Sequence, residues 1–252
     1  MSDPAVSVSF GDDHVATVEV RRPPNNFFSI ETMGGIADAL ETLDRDARCR
    51  AVVLCAEGKH FSAGADFGGG RSYTTEQLYA TAVRIFRCTK PVAAAIQGAA
   101  IGGGLGLALA ADFRITAAEA RFSANFARLG FHQGFGLSVT LPRLVGEQAA
   151  AELLYTGRRV NGTEAVALGL ADRLVPLDDL RSATHAFAIE IARSAPLAVR
   201  SIRATLRGDL ADRVEAATAH EAAEQARLQA TSDFAEGTRA MNERRLPNFS
   251  GS

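Results

Sequence analysis

Twenty consecutive residues, Val92 to Ala111, carry no charge, and this segment restricts the possible folds more than any other. Its length alone would span a bilayer. Its composition argues for something else. It is mostly alanine and glycine, it contains Gln97, and Gly102-Gly103-Gly104 stands at its centre. The segment reads as a buried strand, a turn and a buried helix in succession, and not as a membrane span.

The flanking pattern agrees with a mixed fold. Residues 6–10 and 15–20 run or alternate apolar around Gly11-Asp12-Asp13 and read as a β-hairpin. Ser29 can cap a helix over 30–44. Residues 50–56 (RAVVLCA) are nearly continuous in apolar character, the mark of a strand covered on both faces. A helix is expected over 75–87, a strand over 92–96, a helix over 104–110 and a strand over 113–116. Alternating strands and helices define an α/β class. After Pro176 the 3.6-residue period takes over, with helices expected over 180–194, 196–207, 212–231 and 233–244.

A chain of 252 residues can bury a sizeable core without metal or disulfide. The formal net charge of −2, with charge well mixed, argues against a nucleic-acid binder. Cys49, Cys55 and Cys88 are odd in number and form no C-x-x-C pair, so neither a disulfide framework nor a zinc site is indicated. The amino-terminal MSDPAVSVSF lacks a basic, then apolar, leader pattern, and a cytoplasmic setting is expected.

Three glycine-containing stretches can carry chemistry: His60 to Phe67 (HFSAGADF), Gln97 to Gly106 (QGAAIGGGLG) and Leu129 to Ser138 (LGFHQGFGLS). The second joins a strand to a helix, where free N–H groups can receive an anion. Rival motifs fail on spacing. A G-x-G-x-x-G register beginning at Gly102 or Gly104 ends on leucine, Val53 stands where a Walker loop needs glycine, and Gly136-Leu137-Ser138 is not followed by glycine two residues on.

The stretches FSAGAD, KPVAAAIQGAAIGGGL, ADFRI, LPRLVG, TGRRVNGTEAVALGLADRLV and DFAEGTRAMNERRLPNF occur in this order along almost the whole chain. Together they resemble the crotonase (enoyl-CoA hydratase/isomerase) superfamily. The resemblance implies a crotonase-like β-β-α spiral core, residues 1–190, and an α-helical C-terminal trimerisation region, residues 191–252. It also implies a homotrimer or homohexamer, an acyl-CoA thioester as substrate, and no cofactor beyond the coenzyme A that the substrate carries. No metal, nucleic-acid or membrane partner is expected.

By motif position the resemblance places an oxyanion hole at the N–H groups of Ala65 and Gly103. Preorganised donors of this kind can each be worth ~3 kcal/mol of barrier. It places Phe27, Ala63, Asp66, Phe67, Gly102, Phe126, Leu129 and Phe135 around the substrate. Asp66, within the A-G-A-D turn, reads more simply as a capping or turn residue, Glu119 as a surface charge and Asp112 as a structural acid. The chain departs from the hydratase pattern at two positions, Gly106 and Phe126, where hydratases of the family carry glutamates. Adding water needs a positioned acid or base, so isomerase, decarboxylase or thioester-hydrolase chemistry is expected in place of standard hydration. Ser123, Asn125, His132, Gln133 and Ser138 are the remaining candidates for a proton carrier or polar contact. His132 reads either as a proton shuttle or as a histidine in a subunit contact. Gly68 stands where the family often has a phosphate-binding lysine, which leaves Arg22, Arg71, Arg244 and Arg245 as substitutes. Two further readings stay open: a non-catalytic acyl-CoA-binding protein, and a hydratase that holds its water by other residues.

Overall fold

The computed structural model describes residues 4–66 and 73–252. The expected hairpin is present as β1 (Val6–Phe10) and β2 (Val15–Val20), with Val8 opposite Val18. Helix α1 (Ile30–Arg45) begins at Ser29, whose hydroxyl accepts from the Thr32 N–H while the Thr32 hydroxyl accepts from the Ser29 N–H. This reciprocal pair satisfies two donors that a helix start leaves free. Next come β3 (Ala51–Ala56), α2 (Thr75–Phe86), β4 (Val92–Ile96), β5 (Ala99–Ile101), α3 (Gly103–Ala110), β6 (Phe113–Thr116) and β7 (Arg121–Ser123). The chain continues through α4 (Leu137–Val145), α5 (Glu147–Thr156), β8 (Val160–Asn161), α6 (Gly162–Ala167) and β9 (Arg173–Leu174). Four helices close it: α7 (Leu180–Ala192), α8 (Pro196–Arg207), α9 (Leu210–Gln229) and α10 (Ser232–Glu243). The ends of the expected elements agree with the observed ones to within two residues, the usual scatter of element boundaries.

One sheet runs β1-β2-β3-β4-β6-β9, antiparallel in the first pair and parallel from β2 onward. All six residues of β3 are buried, and side-chain alternation explains why. Val52, Leu54 and Ala56 face the larger core with α1, α2 and α3, whereas Ala51, Val53 and Cys55 face Leu180, Ala188 and Ala192 of α7. A second, three-stranded sheet, β5-β7-β8, has no counterpart in the sequence reading. Its strands are two or three residues long, too short for periodicity to reveal them. The uncharged segment becomes β4, β5 and α3, every residue of α3 being buried. Among the described residues no helix is long and apolar enough to cross a membrane.

Asp112 has the structural role expected of it. Its carboxylate accepts from the Val92 N–H (2.9 Å) and pairs with Arg203 and Arg207 of α8 (2.8 Å each). No residue of α8 is buried, and Leu197, Ile202 and Leu206 are 78%, 59% and 72% exposed. This helix is therefore held to the core largely by charge.

The three cysteines are free and buried. Loss of hydration disfavours the thiolate, and burial pushes Cys55 up to about 11 and Cys88 up to about 12. Because the thiolate is the reactive form, an aromatic disulfide reagent at pH 8 should label none of the three in the folded protein and all three in denaturant. Rapid labelling of Cys55 or Cys88 without denaturant would contradict this packing.

Candidate active site

Three backbone segments meet where the glycine-rich stretches were expected to carry chemistry. The Ser62 N–H donates to Ala99 O (2.8 Å) and the Ile101 N–H donates to Ser62 O (3.1 Å), which lays loop 62–66 along β5. Segment 25–28 is joined to the same loop by Ala63 N–H to Asn25 O (2.9 Å) and Phe28 N–H to Gly64 O (3.0 Å). Buried Asn26 fixes this segment further, its amide donating to Glu57 O and His60 O. The approach is close. A Cβ on Gly104 would lie 2.4 Å from Ser62 O, and one on Gly64, which has φ of +88°, would lie 2.7 Å from Ile101 O. Only glycine fits at either position.

Neither the Ala65 nor the Gly103 N–H has a hydrogen-bond acceptor among the described residues. Gly103 is the first residue of α3, a position whose N–H has no intrahelical partner. Both residues line one cavity of about 310 Å³, together with Phe27, Ala63, Asp66, Gly102, Phe126 and Leu129. The structure thus brings together most of the positions that the resemblance singled out. Phe67 lies outside the described residues.

Two expected site residues are placed elsewhere. Phe135 is buried one layer behind the cavity, its ring packing on Phe28 (6.0 Å between centroids), Phe86 (6.2 Å) and Tyr79 (6.5 Å). His132 does not line the cavity. Its Nδ1 lies 2.8 Å from Gln133 O and its ring stands edge-on to His220 of α9, 5.7 Å away. The ring thus packs on α9 and is not part of the described lining of the cavity. Of the other candidates, Asn125 lines the cavity, Ser123 donates to Gly157 O, and Gln133 bonds Ser138. His60 accepts the Ala99 N–H through Nδ1 (3.2 Å), and burial pushes its imidazole below the usual range, a structural arrangement. Glu119 is exposed.

Several lining residues escaped the sequence reading. Phe28 leans on Gly103 so closely that a Cβ there would fall 2.1 Å from its ring. Leu78 and Tyr79 come from α2, Gln225 and Gln229 from α9, and Met241 and Asn242 from α10. The titratable side chains among the described lining residues are Asp66 and Tyr79. The loop before α4 is clasped by Glu221, a fully buried carboxylate that accepts from Gly136 N–H (2.8 Å), Ser138 N–H (3.0 Å) and Ser138 Oγ (2.6 Å).

Gly106 faces the ring of Phe135. A Cβ at 106 would lie 2.6 Å from Phe135 Cβ and 2.7 Å from its ring. The space that a side chain at 106 would need is already filled. Of the phosphate-contact candidates, Arg22 pairs with Glu31, Arg245 pairs with Glu236 and Glu243, and Arg244 borders a neighbouring hollow with Arg128 and Arg159. Arg71 lies outside the described residues. Among the described residues no group of histidine, cysteine, aspartate or glutamate side chains could hold a metal ion.

An α/β core whose paired loops bring two backbone N–H groups, without an acceptor among the described residues, to the lining of a mainly apolar cavity defines the class to which comparison with known proteins assigns the chain. The profile of the enoyl-CoA hydratase/isomerase family matches residues 11–252. A crotonyl-CoA hydratase of Syntrophomonas wolfei is 33% identical over 247 residues, covering 94% of this chain and 95% of its own length. An enoyl-CoA hydratase/isomerase of Pseudoalteromonas atlantica superposes with a TM-score of 0.88 at 30% identity, over 98% of this chain and 100% of that one. An enoyl-CoA hydratase of Bacillus anthracis superposes at 0.77 and 31% identity, again over 98% and 100%. The chain belongs to the enoyl-CoA hydratase/isomerase family, within the crotonase superfamily.

Overpacking a well-filled core costs about 1–3 kcal/mol. Gly106→Ala should therefore destabilise the protein despite the better helix propensity of alanine. Adding Phe135→Ala, itself destabilising, should make the double variant more stable than the sum of the two losses. Denaturant unfolding of all four proteins gives the coupling energy, and simple additivity would refute the steric account.

Proposed function

We propose that the protein binds an acyl-CoA thioester in the 310 Å³ cavity and stabilises an enolate-type oxyanion with the N–H groups of Ala65 and Gly103, in a reaction other than standard hydration. The observation that carries this reading is the pair of backbone donors without an acceptor among the described residues at a mainly apolar cavity; Phe126 lines it and Phe135 fills the space beside Gly106, the two positions where the resemblance implies acid–base side chains. Donors held by the backbone need no reorganisation as charge develops on the carbonyl oxygen, and a cavity with little water strengthens them. Isomerisation, decarboxylation and thioester hydrolysis all pass through such a charge. Asp66 is the carboxylate available to move a proton within the lining. No cofactor is required beyond the coenzyme A of the substrate, and a reducing cytoplasmic setting suits three unpaired thiols. A second reading, acyl-CoA binding without turnover, is favoured by the lack of glutamate and histidine in the described lining.

A conjugated thioester such as cinnamoyl-CoA should absorb at longer wavelength when bound, because two hydrogen bonds polarise its carbonyl. Gly103→Pro removes one donor at a helix position that suits proline; Phe28→Ala, in the variant and its control, makes room for the ring. The shift should shrink with proline present, and any turnover should fall about 10²–10³-fold. An unchanged shift would overturn the oxyanion assignment. A parallel mass-spectrometric screen of enoyl, 3-hydroxyacyl, malonyl-type and aromatic thioesters separates the readings. A 3-hydroxyacyl product from an enoyl substrate would restore hydration, and binding without product would favour the second reading.

We further propose that residues 191–252 support a homotrimer or homohexamer, a reading supported by the exposed Leu197, Ile202 and Leu206 of α8. Sedimentation at micromolar concentration should give a species well above a single chain, and a purely monomeric profile would count against it.

A further inference from the structure

The cavity wall supplied by α2 and α9 differs from the rest. Much of the lining is apolar, with Phe28, Leu78, Phe126, Leu129 and Phe131 exposing little but carbon. Between these stand Tyr79 and Gln225, both lining residues and only 5% and 3% exposed. The Tyr79 hydroxyl donates to Gln225 Oε1 (3.1 Å), and Gln225 Nε2 donates to His132 O (2.9 Å). One chain of hydrogen bonds thus ties α2, α9 and the loop before α4 across the wall. There is no slack behind it, since a Cβ on Gly134 would fall 1.7 Å from the Tyr79 hydroxyl. The Tyr79 ring also stands edge-on against Phe135.

A wall of leucine and phenylalanine yields to a longer ligand by changing rotamers. A wall tied by buried polar groups does not, because parting them would leave an amide, a hydroxyl and a carbonyl unsatisfied away from water. The cavity, about 310 Å³, is at the small end of the ~300–1,000 Å³ range of ligand sites. We propose that Tyr79 and Gln225 set the length of acyl chain that the site accepts, closing it to all but short, apolar acyl groups. This rests on the acyl-thioester reading above and goes beyond it by naming the substrate class and the residues that select it.

The test is calorimetric binding of saturated acyl-CoAs from C4 to C12 to the full-length protein, which requires no turnover. Native protein should bind C4 to C6 best and C10 to C12 at least roughly tenfold more weakly. Tyr79→Ala should move the optimum by several carbons, tightening C10 while weakening C4. Tyr79→Phe and Gln225→Leu keep most of the volume and remove the tie, so they should flatten the length dependence with C4 retained. These two variants preserve the test if Tyr79→Ala does not fold, as judged by thermal unfolding. A merely structural role would weaken all lengths in parallel. That result, an optimum that stays in place, or a native preference for long chains would each overturn the proposal. Native protein that binds no acyl-CoA of any length would overturn the thioester reading itself, a result distinct from a bound series with an immobile optimum.

Discussion

The site depends on loop 62–66 lying in hydrogen-bonding register with β5. Ser62 is the hinge of that contact, donating to Ala99 and accepting from Ile101. Everything that follows inherits its position from these two bonds: the Gly102 turn, the first N–H of α3 and the orientation of Ala65. Backbone groups at such places cannot be tuned by exchanging side chains, so the fold itself has to place them. The large sheet does this by presenting β3 and β4 side by side in parallel, which brings the loops that follow each strand to the same edge.

Behind the donors is a layer of aromatic rings. Phe28 lies on Gly103, Phe135 lies on Phe28, and Tyr79 and Phe86 lie on Phe135. Edge-to-face rings of this kind pack rigidly and carry little polarity. They connect the glycine-loop backbone to α2 and, through Gln225, to α9, so the last third of the chain supplies part of the wall of a cavity whose backbone N–H groups come from its first half. Glu221, four residues before Gln225 on the same helix, clasps the same loop from its other end.

The elements that bury a continuous apolar face were legible in the sequence. Strand β4 and helix α8 were anticipated at their ends, and the Ser29 cap was anticipated from a single residue type. Strands β5, β7 and β8 were not, because two or three residues display no period. The donors at Ala65 and Gly103 could be placed only through resemblance, since backbone N–H groups leave no side-chain signature. The resemblance puts Phe135 around the substrate, whereas the structure buries it behind the cavity. Its φ of +61° and its position behind Phe28 come from long-range packing that no local pattern encodes. His132 illustrates the same limit: the sequence shows an imidazole near the site, but the direction it faces is decided by α9, some ninety residues later.

The packing of Phe135 into the space beside Gly106 also bears on how such a chain can change over time. A side chain at 106 and the present ring at 135 exclude each other, so the order in which the two positions vary matters. Bulk at 135 has to shrink before anything can grow at 106, and a shrunken 135 leaves Phe28, Tyr79 and Phe86 facing a void in the meantime. The interval between the two steps is a stability valley, and a protein only marginally stable has little room to cross it. The pair acts as a latch: while the ring is seated, a single substitution at 106 meets Phe135 before it can place a side chain at that helix turn.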